Sequence, residues 1–526
     1  LYVPKGASAK NPVPGILAVH GYINSRETQD GFSIEFARRG YVVLAIDQTG
    51  HGFSGGAAFS NGFGGPDGLA YLRSLPMVDN KQIGLEGHSM GGWTILAAAK
   101  AMPDAYQSMV LEGSSTGAPF AAEGSPQWPR NMALVFSRYD EFSSLMWGVD
   151  RAIDTPESEK LQALFGTNER VVEGQIYGSQ TEGTARVLFQ PNTTHPGDHF
   201  SNDAIGRATD WFAKTLQGGT PKPVSDQIWI WKEIGTGIGL VGFVMLILGT
   251  FDWLMHISPF SGLRAKAVAG RELRDKKYRN SFLRSAFIPA LLFFPVFIAV
   301  SLLVPPSVFL PQTVTTQVAL WALAGASVSF MLRRFNKRGF DKQDFDKKEI
   351  DAPQSPWLLS IGSAIATIVF TYIVLWLIDS LFHVDLRFWV LAIKLPSAEQ
   401  WGVAAIYVVP ITLAFIETMR SMASDLTVSR DSPAKLYVTS IAAMSAGFVL
   451  LMAVIYGSFF LTGTLITAFD PLTTVIGIQF VPLLIAISII GTFTWRRTGS
   501  YRPGALIIGM LVTLYVVAGT ATQVVN

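Results

Sequence analysis

A serine framed by glycines is the clearest chemical signal in the chain. Residues 87–92 read GHSMGG, with Ser89 at the third position. An apolar run precedes the motif and an alanine-rich run follows it, which predicts a strand, a tight turn and a helix. Such a nucleophile elbow needs glycines because the backbones approach closely, and it exposes the serine oxygen near a helix N-terminus that favours negative charge. A serine hydroxyl becomes a good nucleophile only when an imidazole takes its proton and a carboxylate orients that imidazole.

Apolar runs predict the sheet that would hold this turn. Besides the run into the elbow, they cover residues 14–22, 41–47, 108–113, 133–140 and 185–189. Helical stretches fall between most of these runs. The alternation predicts an α/β fold with a mainly parallel sheet and helices on both faces.

Three motifs in chain order resemble the α/β-hydrolase superfamily. They are a His-Gly pair at residues 20–21, the pattern D-x-x-G-H-G-x-S at residues 47–54, and G-x-S-x-G at residues 87–91. The resemblance covers about residues 1–216 and is strongest to esterase, dienelactone-hydrolase-like and cutinase-like branches. It implies the α/β-hydrolase fold and functional residues in the order serine, acid, histidine.

On this resemblance Ser89 is the nucleophile and Asp140, at the end of the fifth predicted strand, is the acid. Glu141 and Glu112 remain alternative acids, because Glu141 is adjacent and Glu112 ends the preceding strand. The backbone N–H groups of Tyr22 and Met90 would hold the oxyanion. The expected catalytic residues are Ser89, Asp140, His195 and His199.

Two histidines compete as the base. His195 has the superfamily's spacing from the sixth strand, whereas His199 stands just before a predicted terminal helix over residues 203–216. We favour His195 and expect the other to be structural. Structural roles are also expected for His20, His51 and His88.

The segment between the acid and the base is longer than one helix requires. Its apolar side chains could form a lid over the site or pack into the core, and the sequence leaves both open. These side chains are Phe142, Leu145, Met146, Trp147, Leu161, Leu164 and Phe165.

Composition divides the chain into two parts. Of 526 residues, 49% are hydrophobic and 15% charged, with a mean hydropathy of +0.32, which is too apolar for a purely soluble protein. We predict an α/β-hydrolase domain over residues 1–216, a Gly- and Pro-containing linker over 217–227, and an all-α transmembrane domain of about eight helices over 228–526. The predicted spans are 228–251, 282–304, 314–332, 357–381, 401–418, 436–461, 473–495 and 504–524.

Positive charge alternates between the loops of the second part. Because Lys and Arg accumulate on the cytoplasmic side, the basic loops are predicted to be cytoplasmic and the first domain extracytoplasmic at the cell membrane. The basic residues are Arg264, Lys266, Arg271, Arg274, Lys276, Lys277 and Arg279 after the first span, Arg333, Arg334, Lys337, Arg338, Lys342, Lys347 and Lys348 after the third, Arg420, Arg430 and Lys435 after the fifth, and Arg496, Arg497 and Arg502 after the seventh.

Several features narrow the functional classes. A formal charge of +2 gives no indication of nucleic-acid binding, and the lack of cysteine excludes disulfides and thiolate chemistry. Sparse intramembrane charge argues against a proton-coupled transporter.

The apolar segment 382–394 predicts an interfacial or re-entrant element beneath the active site. The start at Leu1, in what resembles a strand end, leads us to expect further residues upstream.

These patterns predict a membrane-embedded serine hydrolase that cleaves a carboxylic ester, of a lipid or a cell-envelope component, through an acyl-enzyme. An acyltransferase would use the same residues, and a transporter or assembly protein could carry a hydrolase-like binding domain, so both alternatives stay open. A peptidase is possible, but no peptide subsite is apparent. The expected partners are the substrate and membrane lipids, without metal or organic cofactor, and glycine stripes allow a homo-oligomer.

Overall fold

A six-stranded parallel sheet forms the centre of the N-terminal domain in the computed structural model, which describes residues 1–265, 276–337, 355–425, 432–519 and 522–525. The strand order is β2-β1-β3-β4-β5-β6. All six predicted strands form, and the predicted α/β architecture is confirmed. The strands are β1 Val13–Val19, β2 Val42–Ile46, β3 Val78–His88, β4 Ser108–Glu112, β5 Met132–Val135 and β6 Arg186–Phe189.

Helices cover both faces of this sheet. Side chains of β1 alternate between two cores, with Leu17 and Val19 on one face and Ile16 and Ala18 on the other, as the period-2 geometry of a strand requires. The helices are α1 Asp30–Arg38, α2 Gly65–Ser74, α3 Met90–Ala101, α4 Ser143–Trp147, α5 Glu159–Phe165 and α6 Asn202–Thr215, with short 3₁₀ turns at Arg26–Gln29, Asn61–Gly64, Ala152–Glu157 and Pro196–Phe200.

Most of the side chains considered for a lid are core residues. Met146, Trp147, Leu161, Leu164 and Phe165 are all buried in the same apolar cluster as Leu17 and Val19. Burial of the two helices that carry them stabilises the insertion between β5 and β6 as part of the domain.

Among the described residues, eight helices are long and apolar enough to cross a membrane. They agree with the predicted spans except at their ends, where several extend by one or two turns and the last is described as a helix as far as Gly519. They are α7 Ile230–Leu254, α8 Lys276–Leu303, α9 Thr313–Lys337, α10 Trp357–Phe382, α11 Ala398–Asp425, α12 Pro433–Thr462, α13 Pro471–Thr498 and α14 Arg502–Gly519, with a 3₁₀ turn at Phe260–Leu263. We call this part the helical half.

The segment after α10 forms a hairpin between the two parts of the chain. Strands β7 Leu386–Phe388 and β8 Leu391–Ile393 pair antiparallel. The buried guanidinium of Arg387 donates to the Gly519 carbonyl at 2.7 Å, and the indole N–H of Trp389 donates to the Pro196 carbonyl at 2.6 Å. The apolar character of this segment is explained by packing against protein on both sides.

Further hydrogen bonds join the loop after β2 to the C-terminal part of the chain. Beyond α14, the Gln523 N–H donates to the Gly50 carbonyl at 2.8 Å, and the Gln523 carbonyl accepts from the Ala58 N–H at 2.8 Å. The Gln400 side chain, near the start of α11, donates to the Gly52 carbonyl at 3.0 Å. The loop after β2 is therefore held by segments far away in the sequence.

Candidate active site

Ser89 occupies a strained turn between β3 and α3. Its φ of 56° and ψ of −121° are rare for a residue with a side chain. The surrounding structure maintains this conformation, because the Ser89 N–H donates to the Glu112 carbonyl at 2.8 Å. The Ser89 carbonyl accepts from the Gly92 N–H at 2.9 Å and from the Ser114 hydroxyl at 2.7 Å. The serine itself is half-buried, while the residues on either side of it are buried.

The glycines of the motif permit close backbone packing. A Cβ on Gly87 would collide with the Gly91 carbonyl, and a Cβ on Gly91 would collide with the Val19 carbonyl. A Cβ on Gly21 would lie 3.1 Å from the Ser89 Cβ. These positions explain in steric terms why the turn carries glycine on both sides of the serine.

Asp140 and His195 are joined by a hydrogen bond. The His195 Nδ1 lies 2.7 Å from the Asp140 Oδ2, and both side chains are buried. Their loops leave the sheet side by side, since the Arg138 N–H donates to the Pro191 carbonyl at 2.9 Å and the Tyr139 N–H to the Thr193 carbonyl at 3.0 Å. Burial alone would lower the pKa of His195, but the Asp140 carboxylate outweighs it and raises the pKa above its usual value.

The pair lies at the same edge of the sheet as Ser89. Gly113 follows Glu112, whose carbonyl binds the Ser89 N–H. A Cβ on Gly113 would lie 2.8 Å from the His195 Nδ1 and 3.2 Å from the Asp140 Oδ2. His88, the neighbour of Ser89, has its Nε2 3.0 Å from the His195 carbonyl oxygen.

His199 has a different environment. Its ring centroid lies 4.1 Å from that of His88, and neither ring nitrogen has a hydrogen-bond partner among the described residues. Burial lowers the pKa of His199 well below its usual value, and the neighbouring histidines lower it further. Of these two histidines, His195 has a carboxylate bonded to its ring and His199 does not.

Neither alternative acid bonds to an imidazole nitrogen in the described structure. Glu141 accepts the backbone N–H of His195 at 2.8 Å. Glu112 is buried beside Glu86, and burial raises the pKa of both carboxyl groups, that of Glu86 to about 8. A carboxyl group kept neutral in this way is a poor partner for an imidazolium.

The expected oxyanion donors flank the serine. Met90 is the first residue of α3, so its N–H has no acceptor within the helix. The turn that carries Tyr22 runs beside Ser89, as the close approach of Gly21 shows. The Tyr22 ring packs on Phe59 at 5.6 Å and on His51 at 5.8 Å, which shapes the surface beside the serine.

Two further histidines of the N-terminal domain, His20 and His51, lie against the backbone of loops. His20 accepts the Gln48 N–H at its Nε2, at 3.1 Å, and its Nδ1 lies 2.7 Å from the Gly21 carbonyl oxygen. The His51 Nδ1 lies 3.0 Å from the Thr49 carbonyl oxygen. Within the described ranges, no group of three or more His, Asp or Glu side chains is arranged to hold a metal ion.

Comparisons with known proteins agree with this architecture. Residues 10–145 match the family described as serine aminopeptidase, S33. The N-terminal domain has the α/β-hydrolase fold. The family match does not extend into the helical half, for which no family is recognised, and a search of curated proteins gave no match.

Three solved structures resemble the hydrolase domain. A thermophilic esterase from Thermogutta terrifontis is 14% identical, with a TM-score of 0.29, and the match covers 39% of this chain and 92% of that one. The pyrethroid hydrolase PytH is 15% identical, with a TM-score of 0.26 and coverage of 39% and 99%. DcsB is 14% identical, with a TM-score of 0.28 and coverage of 40% and 92%.

Sequence reasoning missed two groups beside the site. Asp47, after β2, accepts the Arg26 backbone N–H and guanidinium, both at 2.8 Å, and so ties two loops of the hydrolase domain together. The Tyr456 hydroxyl, on α12, donates to the Glu141 Oε1 at 2.8 Å. Asp47 is the first residue of the D-x-x-G-H-G-x-S motif, which carries the family resemblance but assigns the aspartate no role. Tyr456 lies 315 residues from Glu141, and no local signal links the two.

Proposed function

We propose that the protein is a membrane-embedded serine hydrolase that cleaves a carboxylic ester on the extracytoplasmic side of the cell membrane. The observation that carries the proposal is the buried Asp140–His195 hydrogen bond at the sheet edge that bears the strained Ser89 turn. This arrangement supports the chemistry of a serine, a base and an orienting acid.

The steps follow from the donors and acceptors available. The Nδ1–H of His195 donates a hydrogen bond to Asp140, which leaves Nε2 free to take the Ser89 proton as the Ser89 oxygen attacks the ester carbonyl. The Met90 and Tyr22 N–H groups stabilise the oxyanion. Collapse breaks the ester C–O bond, and His195 returns the proton to the leaving alcohol. Water then attacks the acyl carbon while His195 accepts its proton. The bond to the Ser89 oxygen breaks, His195 returns the proton to that oxygen, and the carboxylic acid is released.

The proposed orientation rests on charge. Arg264, Arg496, Arg497 and Arg502 are found at the ends of helices away from the hydrolase domain. That domain contacts the hairpin, the start of α11, the end of α12 and the chain after α14. Cytoplasmic loops are enriched in such residues. Some of the other basic residues that support the orientation lie outside the described residues, namely Lys266, Arg271, Arg274, Arg338, Lys342, Lys347, Lys348 and Arg430.

A lipid or envelope ester is the proposed substrate. The loops that follow β1, β2, β5 and β6 all contact the helical half, and these loops surround the Ser89 edge of the sheet. A substrate anchored in the membrane would be presented to the serine at this boundary. Membrane lipids are therefore expected partners as well as a source of substrate.

Covalent labelling tests the nucleophile and the base. The protein purified in detergent would be treated with a fluorophosphonate probe, as wild type, Ser89→Ala, His195→Ala and His199→Ala. We expect labelling to vanish in Ser89→Ala, to fall steeply in His195→Ala and to persist in His199→Ala. Absence of labelling in folded wild-type protein would contradict the proposal and favour a binding role for the hydrolase domain in a transporter or assembly protein.

Substrate panels separate the related activities. Short- and long-chain p-nitrophenyl esters would be compared with an aminoacyl p-nitroanilide, because the matched family is described as serine aminopeptidase. We expect ester turnover that increases with acyl length. Preference for the anilide would overturn the ester assignment, and acyl transfer to an added alcohol in preference to water would identify an acyltransferase.

A further inference from the structure

The loop that carries Asp140 is in contact with a helix of the helical half. The Tyr139 ring packs edge-on against Phe459, at 5.9 Å between centroids, and against Phe460, at 5.1 Å. Next to it, the Tyr456 hydroxyl donates to the Glu141 Oε1 at 2.8 Å. Tyr456 lies six residues before the end of α12, which corresponds to about 9 Å along the helix.

Glu141 connects this helix to the histidine. Its Oε1 accepts from Tyr456, and its Oε2 accepts from the backbone N–H of His195 at 2.8 Å. The carboxyl group is buried, with only 4% of Glu141 exposed. One side chain therefore holds the His195 backbone on one side and the helical half on the other.

We propose that Tyr456 is a positioning residue of the active site, which acts through Glu141 on His195. This inference rests on the proposed function and deepens it, because it makes the helical half part of the site. The hydrolase domain does not contain the hydroxyl that satisfies Glu141, so its acid loop is complete only when α12 is in place.

Charge gives the connection a measurable effect. Burial, with Asp140 adjacent, raises the pKa of Glu141 to about 7, and its bonds to His195 and Tyr456 counteract the rise. The groups that face Glu141 are Asp140, His195 and Tyr456, and those that face His195 also include Asp198 and His88. Loss of the Tyr456 donor therefore raises the pKa of Glu141, so that Glu141 is neutral up to a higher pH. Because a neutral Glu141 no longer places negative charge beside His195, the pKa of His195 falls.

Kinetics of Tyr456→Phe with a short p-nitrophenyl ester test the proposal. We expect kcat to fall about five- to tenfold with KM unchanged, because a residue that acts through Glu141 alters the proposed base and not the binding of the ester. The acid limb of the kcat/KM profile should move to lower pH, since a less basic His195 loses its proton earlier. Tyr437→Phe is the matched control on the same helix, where the ring stacks under Arg496, and it should retain the wild-type profile.

Glu141→Gln separates positioning from general damage. Glutamine keeps a hydrogen-bond donor and an acceptor but carries no charge. Glu141→Gln should therefore move the acid limb of the kcat/KM profile to lower pH, as Tyr456→Phe does. The double variant should show no further shift, because both changes act on the same contact. A lower kcat with an unmoved limb in Tyr456→Phe would indicate a merely structural role and overturn the proposal. If Tyr456→Phe does not fold, an unmoved limb in Glu141→Gln overturns it equally.

Histidine NMR in detergent provides a readout independent of turnover. The His195 imidazole, assigned with His195→Ala, should titrate at lower pH in Tyr456→Phe than in wild type. Equal titration would overturn the positioning role whatever the activity. A shifted titration in a protein without Ser89-dependent turnover would leave the connection standing and overturn the hydrolase assignment.

Discussion

At the scale of single residues, the site depends on one buried hydrogen bond. The His195 Nδ1 and the Asp140 Oδ2 are 2.7 Å apart, with Glu141 binding the adjacent backbone. In this arrangement the carboxylate determines which ring nitrogen carries the proton. The proposed general base therefore has its tautomer fixed before a substrate arrives.

Asp140→Asn should separate geometry from charge. Asparagine has the same shape but can present its amide to the His195 Nδ1, which favours the wrong tautomer, and we expect kcat to fall about 10³- to 10⁴-fold. The exposed Asp104, which pairs with Arg130, provides a matched control in Asp104→Asn. Ester hydrolysis measured against pH would check this, and a loss below tenfold would show that Asp140 is not the acid.

At the scale of elements, the sheet and the spans were predictable because their signals are local. Period-2 and continuous apolar runs predicted every strand of the hydrolase domain, and length with hydropathy predicted the eight helices found among the described residues. The strand β5 is shorter than predicted, ending at Val135, because Phe136 to Tyr139 follow the loop beside β6 instead. Where a strand ends depends on the strand beside it in the sheet, and the local sequence carries no information about that strand.

Gly91→Ala tests the elbow as an element. The added methyl group would meet the Val19 carbonyl, a backbone atom with no room to move, so we expect a loss of about 1–3 kcal/mol in the free energy of unfolding, or more. Gly55→Ala is the matched control, since a Cβ there has no neighbour within 4 Å and the residue does not require a positive φ. Thermal unfolding in detergent would measure both, and equal stabilities would contradict the steric account.

At the scale of the whole molecule, contacts between the two parts could not be predicted from sequence. The hairpin segment is too apolar for a solvated loop, which indicates that it is covered. Its partners, on the hydrolase domain and at the end of α14, have no signal in the sequence. The pairing of Glu141 with Tyr456 also joins positions that share no motif. Such contacts depend on the packing of complete elements, and no local pattern encodes them.

Lys394→Met tests the boundary between the parts. Lys394, only 2% exposed, lies 2.7 Å from Glu27 of the hydrolase domain and 3.3 Å from Asp385 of the hairpin segment. Its removal takes a buried cation away from two partly buried carboxyl groups, of which Glu27 keeps a 3.4 Å ion pair with the partly exposed Arg26, and this costs about 3–5 kcal/mol. Lys214→Met is the matched control, because its pair with Asp210 is at the surface and contributes about 0–1 kcal/mol. Thermal unfolding that is equal in the two variants would contradict this account of the boundary.

The contact between Gln523 and the loop at Gly50 and Ala58 has a consequence for biogenesis. A ribosome makes residues 50–58 long before residue 523, and all eight helices are translated in between. The loop over residues 50–58 therefore cannot form its hydrogen bonds with Gln523 until the helices have been translated and inserted. Hydrolytic competence would thus be acquired late in synthesis, so that an incompletely inserted chain is not left with a finished active site.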